Sequence, residues 1–372
     1  MRKILFVSPT AKLGGAERVM QTIAHYLLQQ GWEVTFYIMS RGSQSGWEEL
    51  QKFDNFNFIV KEYKSEKTSL LSFLYNIISL NRKSKFHYIF SSHSHTNAAL
   101  SFLKKIDILP DAKLVGREST IVFERFYGAK RRIFKILYNY FYGSHDLLIC
   151  QTELMKKSLI CSLEKLPAKN IQVIPNPLSI DRIDSGLKES VVKLRDLTVK
   201  NIVACGRLVP VKNFSLLINV LSRLILEGYL THLYIVGDGV DRKLLCDLST
   251  SLKLDNYITF VGHQENTAQW YKIADVGVIS SIKEGFPNVI LEMMASGTKN
   301  IVTTPCTGDL DTLPEVIISE DHSEEALYLA VKSVLRKSND HGEIYRKYIE
   351  THRTVEMFWK TLETKIKNKV TD

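Results

Sequence analysis

The feature that most constrains this chain is a rhythm that occurs twice. Short apolar runs of strand length alternate with longer segments of helical period, and glycine turns often follow the runs. "KILFVS" leads through a Gly-Gly turn into the helical "AERVMQTIAHYLLQQG". "EVTFYIMS", a mixed segment, the helical "SLLSFLYNIISLNRKSK", then "HYIFSSHSH", "KLVGREST", "DLLICQTE" and "IQVIPNPL" follow. Strand, helix, strand at this spacing implies a parallel sheet with helices on both faces. Residues 179–198 are charged and without strand pattern, and read as a linker region. The rhythm restarts with "NIVACGRL", "NFSLLINVLSRLILEG", "THLYIVGDG", "YITFVGH", "DVGVISS", "KNIVTT" and "EVIIS". The expectation is an α/β chain of two tandem domains, 1–178 and 199–345, and 372 residues suit two cores better than one. The closing segment, 346–372, is helical, and its Phe358 and Trp359 need burial, which packing back on the first domain would supply.

Several classes fall away. The five cysteines, Cys150, Cys161, Cys205, Cys246 and Cys306, are odd in number and lack CxxC spacing, which argues against a disulfide framework or a zinc site. "MRKILFVSPT" has too short an apolar run for a signal peptide, and no stretch approaches the ~20 apolar residues of a membrane span. The expected location is the cytoplasm, free or peripheral on the inner face of the membrane. Charge is uneven: residues 1–180 carry 25 Lys/Arg against 14 Asp/Glu, while the remainder carries 24 against 26. So basic a first half suggests a partner of its own, an anionic membrane surface or a nucleic acid.

Four stretches of the second half carry chemistry. "ACGRLVPVKN" places Gly206 and Arg207 just after a strand and Lys212 five residues on, a fork and a point charge suited to a diphosphate. "IVGDG" sets Gly237 and Gly239 at the next strand end, where backbone approaches closely, and "FVGH" sets Gly262 and His263 at a third. "KEGFPNVILEMMASGT" then has Glu284 in a loop and Glu292 within a helix, with Gly285, Phe286, Pro287, Asn288 and Val289 between them. A helix N-terminus between two carboxylates favours an anion. Ligands of open α/β sheets sit beyond the carboxyl ends of strands, so all four stretches are expected to converge on one crevice.

The set "GRLVPVKN", "IVGDG", "FVGH" and "EGFPNVILEMMASG", with "LGGAERV" and "VIPNPL" in the first half, resembles glycosyltransferase family 4. The resemblance runs nearly end to end. It implies a GT-B fold, two Rossmann-like domains whose parallel sheets face across a cleft. It implies a retaining, metal-independent enzyme with a nucleotide diphosphate sugar as co-substrate and no other cofactor. Arg207 and Lys212 would grip the donor diphosphate, Glu284 the sugar hydroxyls and Glu292 the ribose. Amides around Phe286 to Val289 would contact sugar and phosphate, and Gly14 and Gly15 would let backbone approach the donor. Where many relatives carry a histidine after the fourth strand, this chain has Arg117 and Glu118. Glu118 would orient or deprotonate the acceptor, or else be an ordinary salt-bridged loop residue. His93 and His95 stand at the preceding strand end as cleft candidates, although H-x-H alone is a poor metal signature.

The basic half is richest at 124–143, where Arg125, Lys130, Arg131, Arg132 and Lys135 interleave with seven aromatic residues. That pattern suits an interfacial segment on an anionic leaflet, or a core helix with a solvated face. No nucleic-acid-reading motif accompanies it, so no nucleic-acid partner is expected. The resulting expectation is a hexosyl- or N-acetylhexosaminyltransferase with a UDP-linked donor, acting on a lipid-linked saccharide of O-antigen, capsule or other surface-polysaccharide synthesis. A non-hydrolysing nucleotide-sugar epimerase or a non-catalytic binding protein would share the architecture.

Overall fold

The apolar runs fold as strands buried on both faces, as in a parallel sheet covered by helices. The computed structural model describes residues 1–40, 45–61, 70–109, 111–163, 166–189, 198–337 and 339–368. It divides into two units, Met1–Pro177 with Val355–Asp372, and Leu178–Thr354.

Unit 1 runs β1 (Lys3–Thr10), α1 (Gly15–Gln29), β2 (Glu33–Ser40), β3 (Phe56–Val60), α2 (Leu70–Ser84), β4 (Tyr88–Ser91), α3 (Ser94–Lys105), β5 (Lys113–Arg117), α4 (Val122–Arg125), α5 (Gly128–Phe141), β6 (Leu147–Cys150), α6 (Glu153–Ser162) and β7 (Ile171–Val173). Unit 2 runs α7 (Ile180–Lys188), β8 (Lys200–Cys205), α8 (Phe214–Leu226), β9 (Thr231–Val236), α9 (Arg242–Ser251), β10 (Ile258–Gly262), α10 (Ala268–Lys272), β11 (Val276–Ile279), α11 (Asn288–Ser296), β12 (Ile301–Thr303), β13 (Val316–Ile318), α12 (Glu324–Lys337) and α13 (Gly342–His352). The last helix, α14 (Val355–Asn368), groups with unit 1.

All strand pairs are parallel, in the order β3-β2-β1-β4-β5-β6-β7 in unit 1 and β10-β9-β8-β11-β12-β13 in unit 2. Each order reverses once, between β1 and β4 and between β8 and β11. Unit 1 has apolar clusters on both sheet faces. One includes Ile4, Phe6, Phe36 and the α14 residues Phe358, Trp359 and Leu362. The indole of Trp359 meets Trp32 edge to face at 5.3 Å, and Arg2 pairs with Glu363 at 2.8 Å.

The elements differ from expectation in four places. The mixed segment contains a strand, β3, so the one before Glu118 is the fifth and not the fourth. "HYIFSSHSH" leaves the sheet at Ser91, and the histidines belong to the start of α3. The linker region holds α7, an amphipathic helix that packs Ile183 into the core of unit 2; residues 190–197 lie outside the described ones. Residues 346–352 belong to α13 of unit 2, and the helix of unit 1 starts at Val355.

Candidate functional site

The reversal in strand order is where an open α/β sheet leaves a crevice beyond its strand ends. In unit 2, β8 ends at Cys205 and the chain turns through Gly206 and Arg207 into a single 3-10 turn at Pro210–Lys212. The loop after β11 is fastened to that turn. Ile282 N–H donates to Val211 O at 2.8 Å, and Ser280 Oγ to Lys212 O at 2.9 Å. Lys212 Nζ thereby meets Glu284 Oε1 at 2.5 Å, with side-chain exposures of 19% and 17%, low enough to limit screening of the pair. Ser281 Oγ also donates to Glu284, at 2.8 Å. Arg207 is exposed at the turn, and no ion pair of its guanidinium forms among the described residues.

The Glu284 N–H donates to Cys306 O, and Thr307 Oγ1 to Gly285 O, both at 2.8 Å. This holds the loop against the β12 end. Phe286 is buried with the Arg353 guanidinium 5.7 Å from its ring centre. Pro287 stands at the N-cap of α11 and offers no side-chain acceptor to its first turn. Glu292 lies one turn further along. Its Oε2 accepts from the buried Tyr271 hydroxyl at 3.2 Å. The structure thus brings Lys212, Glu284, the α11 N-terminus and Glu292 to one end of one sheet.

The glycines of "IVGDG" do something other than expected. A Cβ on Gly237, at φ +140°, would lie 1.9 Å from Gly206 O, and one on Gly239 would lie 2.2 Å from Leu208 O. Their close approach is to backbone of the neighbouring loop, which Leu208 N–H ties to Asp238 O at 3.0 Å. They shape the Arg207 turn. Gly262 accepts from Gly237 N–H at 2.8 Å, and His263 is exposed beyond it.

In unit 1 the strand reversal between β1 and β4 holds His93, an expected cleft residue, paired with a buried carboxylate that sequence reasoning missed. Glu17, in the first turn of α1, accepts from Gly14 N–H at 3.0 Å and meets His93 Nε2 at 3.0 Å. Burial raises the Glu17 pKa, but His93 and the backbone amides outweigh it and bring the carboxyl below its usual 4.5. Gly14 was expected to offer its amide to a donor phosphate; a carboxylate already holds that amide, while Gly15 is exposed at the helix start. The Gly-x-x-Glu spacing is the signal that was available. His95 lies in the first turn of α3, its ring 6.1 Å from that of His93. No cluster of three or more metal-ligating side chains forms among the described residues.

Arg117 and Glu118 are not surface groups awaiting an acceptor. Arg117 is 1% exposed, donates to Ser92 Oγ at 2.7 Å and to Asn176 Oδ1 at 2.5 Å, and its Nε has no partner. Burial pulls its pKa down to about 10. Asn176, the asparagine of "VIPNPL", donates in turn to Gln151 Oε1 at 3.0 Å. Glu118 is 2% exposed, and its oxygens accept from Tyr138 (2.7 Å), Tyr142 (3.0 Å) and Asn97 (3.5 Å). Burial raises its pKa against those hydrogen bonds. With these hydrogen bonds on its oxygens and no ion pair among the described residues, it is not a salt-bridged loop residue. It fastens α5 to the sheet.

That fastening orients α5. Tyr138 and Tyr142 turn inward, while Tyr127, Ile133, Ile136 and Tyr140 are exposed beside Lys130, Arg131, Arg132 and Lys135. Arg125, just before the helix, and Lys130 both lie over the Phe126 ring, at 5.4 and 4.3 Å. A groove of about 390 Å³ runs between α5 and α6, lined by Arg131, Arg132, Lys135, Phe123 and Ser162. Among the described residues no helix is long and apolar enough to cross a membrane.

Two Rossmann-type units, each an open parallel sheet with one reversal, define a GT-B chain. HepE of Anabaena, solved in complex with UDP, superimposes with a TM-score of 0.78 over 98% of this chain and 100% of its own, at 17% identity. Family models add the sequence side: "Glycosyltransferase Family 4" matches residues 13–182 and "Glycosyl transferases group 1" matches 199–337. The chain thus carries a glycosyltransferase family 4 domain followed by a glycosyl transferases group 1 domain. It is 30% identical over 197 residues to the uncharacterized glycosyltransferase MJ1059 of Methanocaldococcus jannaschii, covering 52% of this chain and 48% of that one. The chain thus spans about half the length of that relative. The amylovoran biosynthesis glycosyltransferase AmsD of Erwinia amylovora is 23% identical, over 86% of this chain and 84% of its own.

Proposed function

We propose that this protein transfers a hexose or N-acetylhexosamine from a UDP-linked sugar to a hydroxyl of a lipid-linked saccharide, with retention, during assembly of a surface polysaccharide. The observation that carries the reading is the Lys212–Glu284 contact at the β8–β11 reversal, beside the start of α11. Arg207 and Lys212 take the charge that grows on the departing diphosphate, the largest electrostatic demand of the reaction. Glu284 holds donor-sugar hydroxyls and Glu292 the ribose. The bond from the sugar C1 to the diphosphate oxygen breaks as the acceptor oxygen bonds C1 from the same face. The acceptor proton leaves on the departing phosphate. Two fixed cations serve where other transferases use a divalent ion, so no metal is required.

The acceptor side rests on α5. Its exposed Ile133, Ile136 and Tyr140 beside Arg131, Arg132 and Lys135 suit the inner face of an anionic membrane, where a lipid-linked acceptor resides. Likeness to AmsD, an amylovoran-biosynthesis protein by name, supports the polysaccharide part of the reading.

Calorimetry of the purified protein against UDP- and GDP-sugars, with and without EDTA, tests the reading. Saturable binding of one donor that survives EDTA is expected. A folded protein that binds none of them, or only with metal, would overturn it.

A further inference from the structure

We propose that Tyr271 is a positioning residue for the donor ribose, acting through Glu292. The inference rests on the nucleotide-sugar reading of Glu292 above.

Tyr271 is fully buried on α10. Its carbonyl accepts from Thr298 Oγ1 at 2.8 Å, which ties α10 to the segment just past α11. Its hydroxyl donates to Glu292 Oε2 at 3.2 Å and also hydrogen-bonds Cys205, the last residue of β8. One phenol oxygen thus spans the two pieces of backbone that carry the diphosphate-binding turn and the ribose carboxylate. Burial raises the phenol's pKa well above its ordinary value.

Glu292 is only half-buried, and a free glutamate on a helix visits several rotamers, a freedom that binding has to remove. The Tyr271 hydroxyl removes it beforehand. It occupies Oε2, and Oε1 makes no hydrogen bond among the described residues. A carboxylate with one oxygen anchored and one open fits a ribose hydroxyl. Preorganisation of this kind raises affinity without a new ligand contact.

The test is Tyr271→Phe, which removes one oxygen from the core and nothing else. Affinities for UDP and 2′-deoxy-UDP, and for GDP and 2′-deoxy-GDP, are measured by calorimetry for wild type, Tyr271→Phe, Glu292→Gln and the double variant. Loss of a hydrogen bond to a charged group corresponds to about a tenfold change. The ribo form is expected to lose roughly five- to tenfold in Tyr271→Phe, with the deoxy form little changed. The double variant should match Glu292→Gln alone. A ribo-to-deoxy ratio that collapses in Glu292→Gln but holds in Tyr271→Phe overturns the role of Tyr271 and leaves the ribose reading intact. A ratio that moves in neither variant, or a wild type that binds neither diphosphate, overturns both. A general loss of folding in Tyr271→Phe would lower ribo and deoxy affinities together, and that equal loss also counts against the proposal.

Discussion

Lys212→Met isolates the contact on which the functional reading depends. The methionine keeps the stem and removes the ammonium, which in the unliganded protein lies 2.5 Å from Glu284 Oε1. Two consequences follow, and their sizes differ. Donor binding exchanges one anionic partner of Lys212 for another, so the ground state gains only the difference between carboxylate and diphosphate. About a tenfold loss of donor affinity is the expected size for one charge-assisted hydrogen bond. In the transition state the leaving diphosphate gains charge while Glu284 does not. A unit charge at about 4 Å interacts by roughly 4 kcal/mol at an effective dielectric of 20, and single donors to developing charge are worth about 2.7–4 kcal/mol. The turnover number should therefore fall by about 10²–10³, well beyond the loss in affinity. Donor hydrolysis, read as release of free nucleotide, gives the rate without knowledge of the acceptor, and calorimetry gives the affinity. If turnover stays within threefold of wild type while the donor still binds, Lys212 does not face the leaving group and the argument from the β8–β11 reversal fails.

Other consequences are cheaper to check. Gly237→Ala puts a Cβ 1.9 Å from Gly206 O at φ +140°, so unfolding should move down by roughly 5–10 °C for an expected cost of about 2–4 kcal/mol; a transition within 1 °C of wild type would contradict the packing of the two loops. Glu17 has its pKa below the usual 4.5 beside His93, so the stability it contributes is present above pH 4.5 and lost as pH falls below it. Denaturant midpoints should show wild type exceeding Glu17→Gln at pH 7 and converging with it below pH 4.5; a gap independent of pH would mean that the Glu17 carboxylate does not contribute through its charge. Replacing Arg131 and Arg132 with glutamate should release the protein from vesicles rich in anionic lipid in a flotation assay, and unchanged binding would remove α5 from the membrane argument.

Much of the architecture was legible in one dimension because its signals are local. Periods of 2 and 3.6 residues, with glycine at strand ends, describe elements whose hydrogen bonds close within a few residues or along one edge. The strand Phe56–Val60 escaped because its turn and burial signals are weak: only partly buried, it lies at the sheet edge. The helix Ile180–Lys188 escaped because charge hid its apolar stripe.

The residue types of the candidate site were also readable, since cations and carboxylates at strand ends are what a nucleotide diphosphate sugar would call for. Their partners were not. Lys212 and Glu284, Tyr271 and Glu292, Arg117 and Asn176, and Glu118 and Tyr138 each meet across intervening chain that no local pattern spans. Glu118 shows the difference best: its sequence neighbours suggested a base, but two tyrosines from a later helix occupy its oxygens. Gly237 and Gly239 show it from the other side, since close approach was foreseeable and what they approach was not. Sequence alone determined most of the elements and the residue types they carry. Tertiary structure decided which polar groups are already satisfied, because burial makes an unpaired group costly and the partners that pair it arrive from distant parts of the chain.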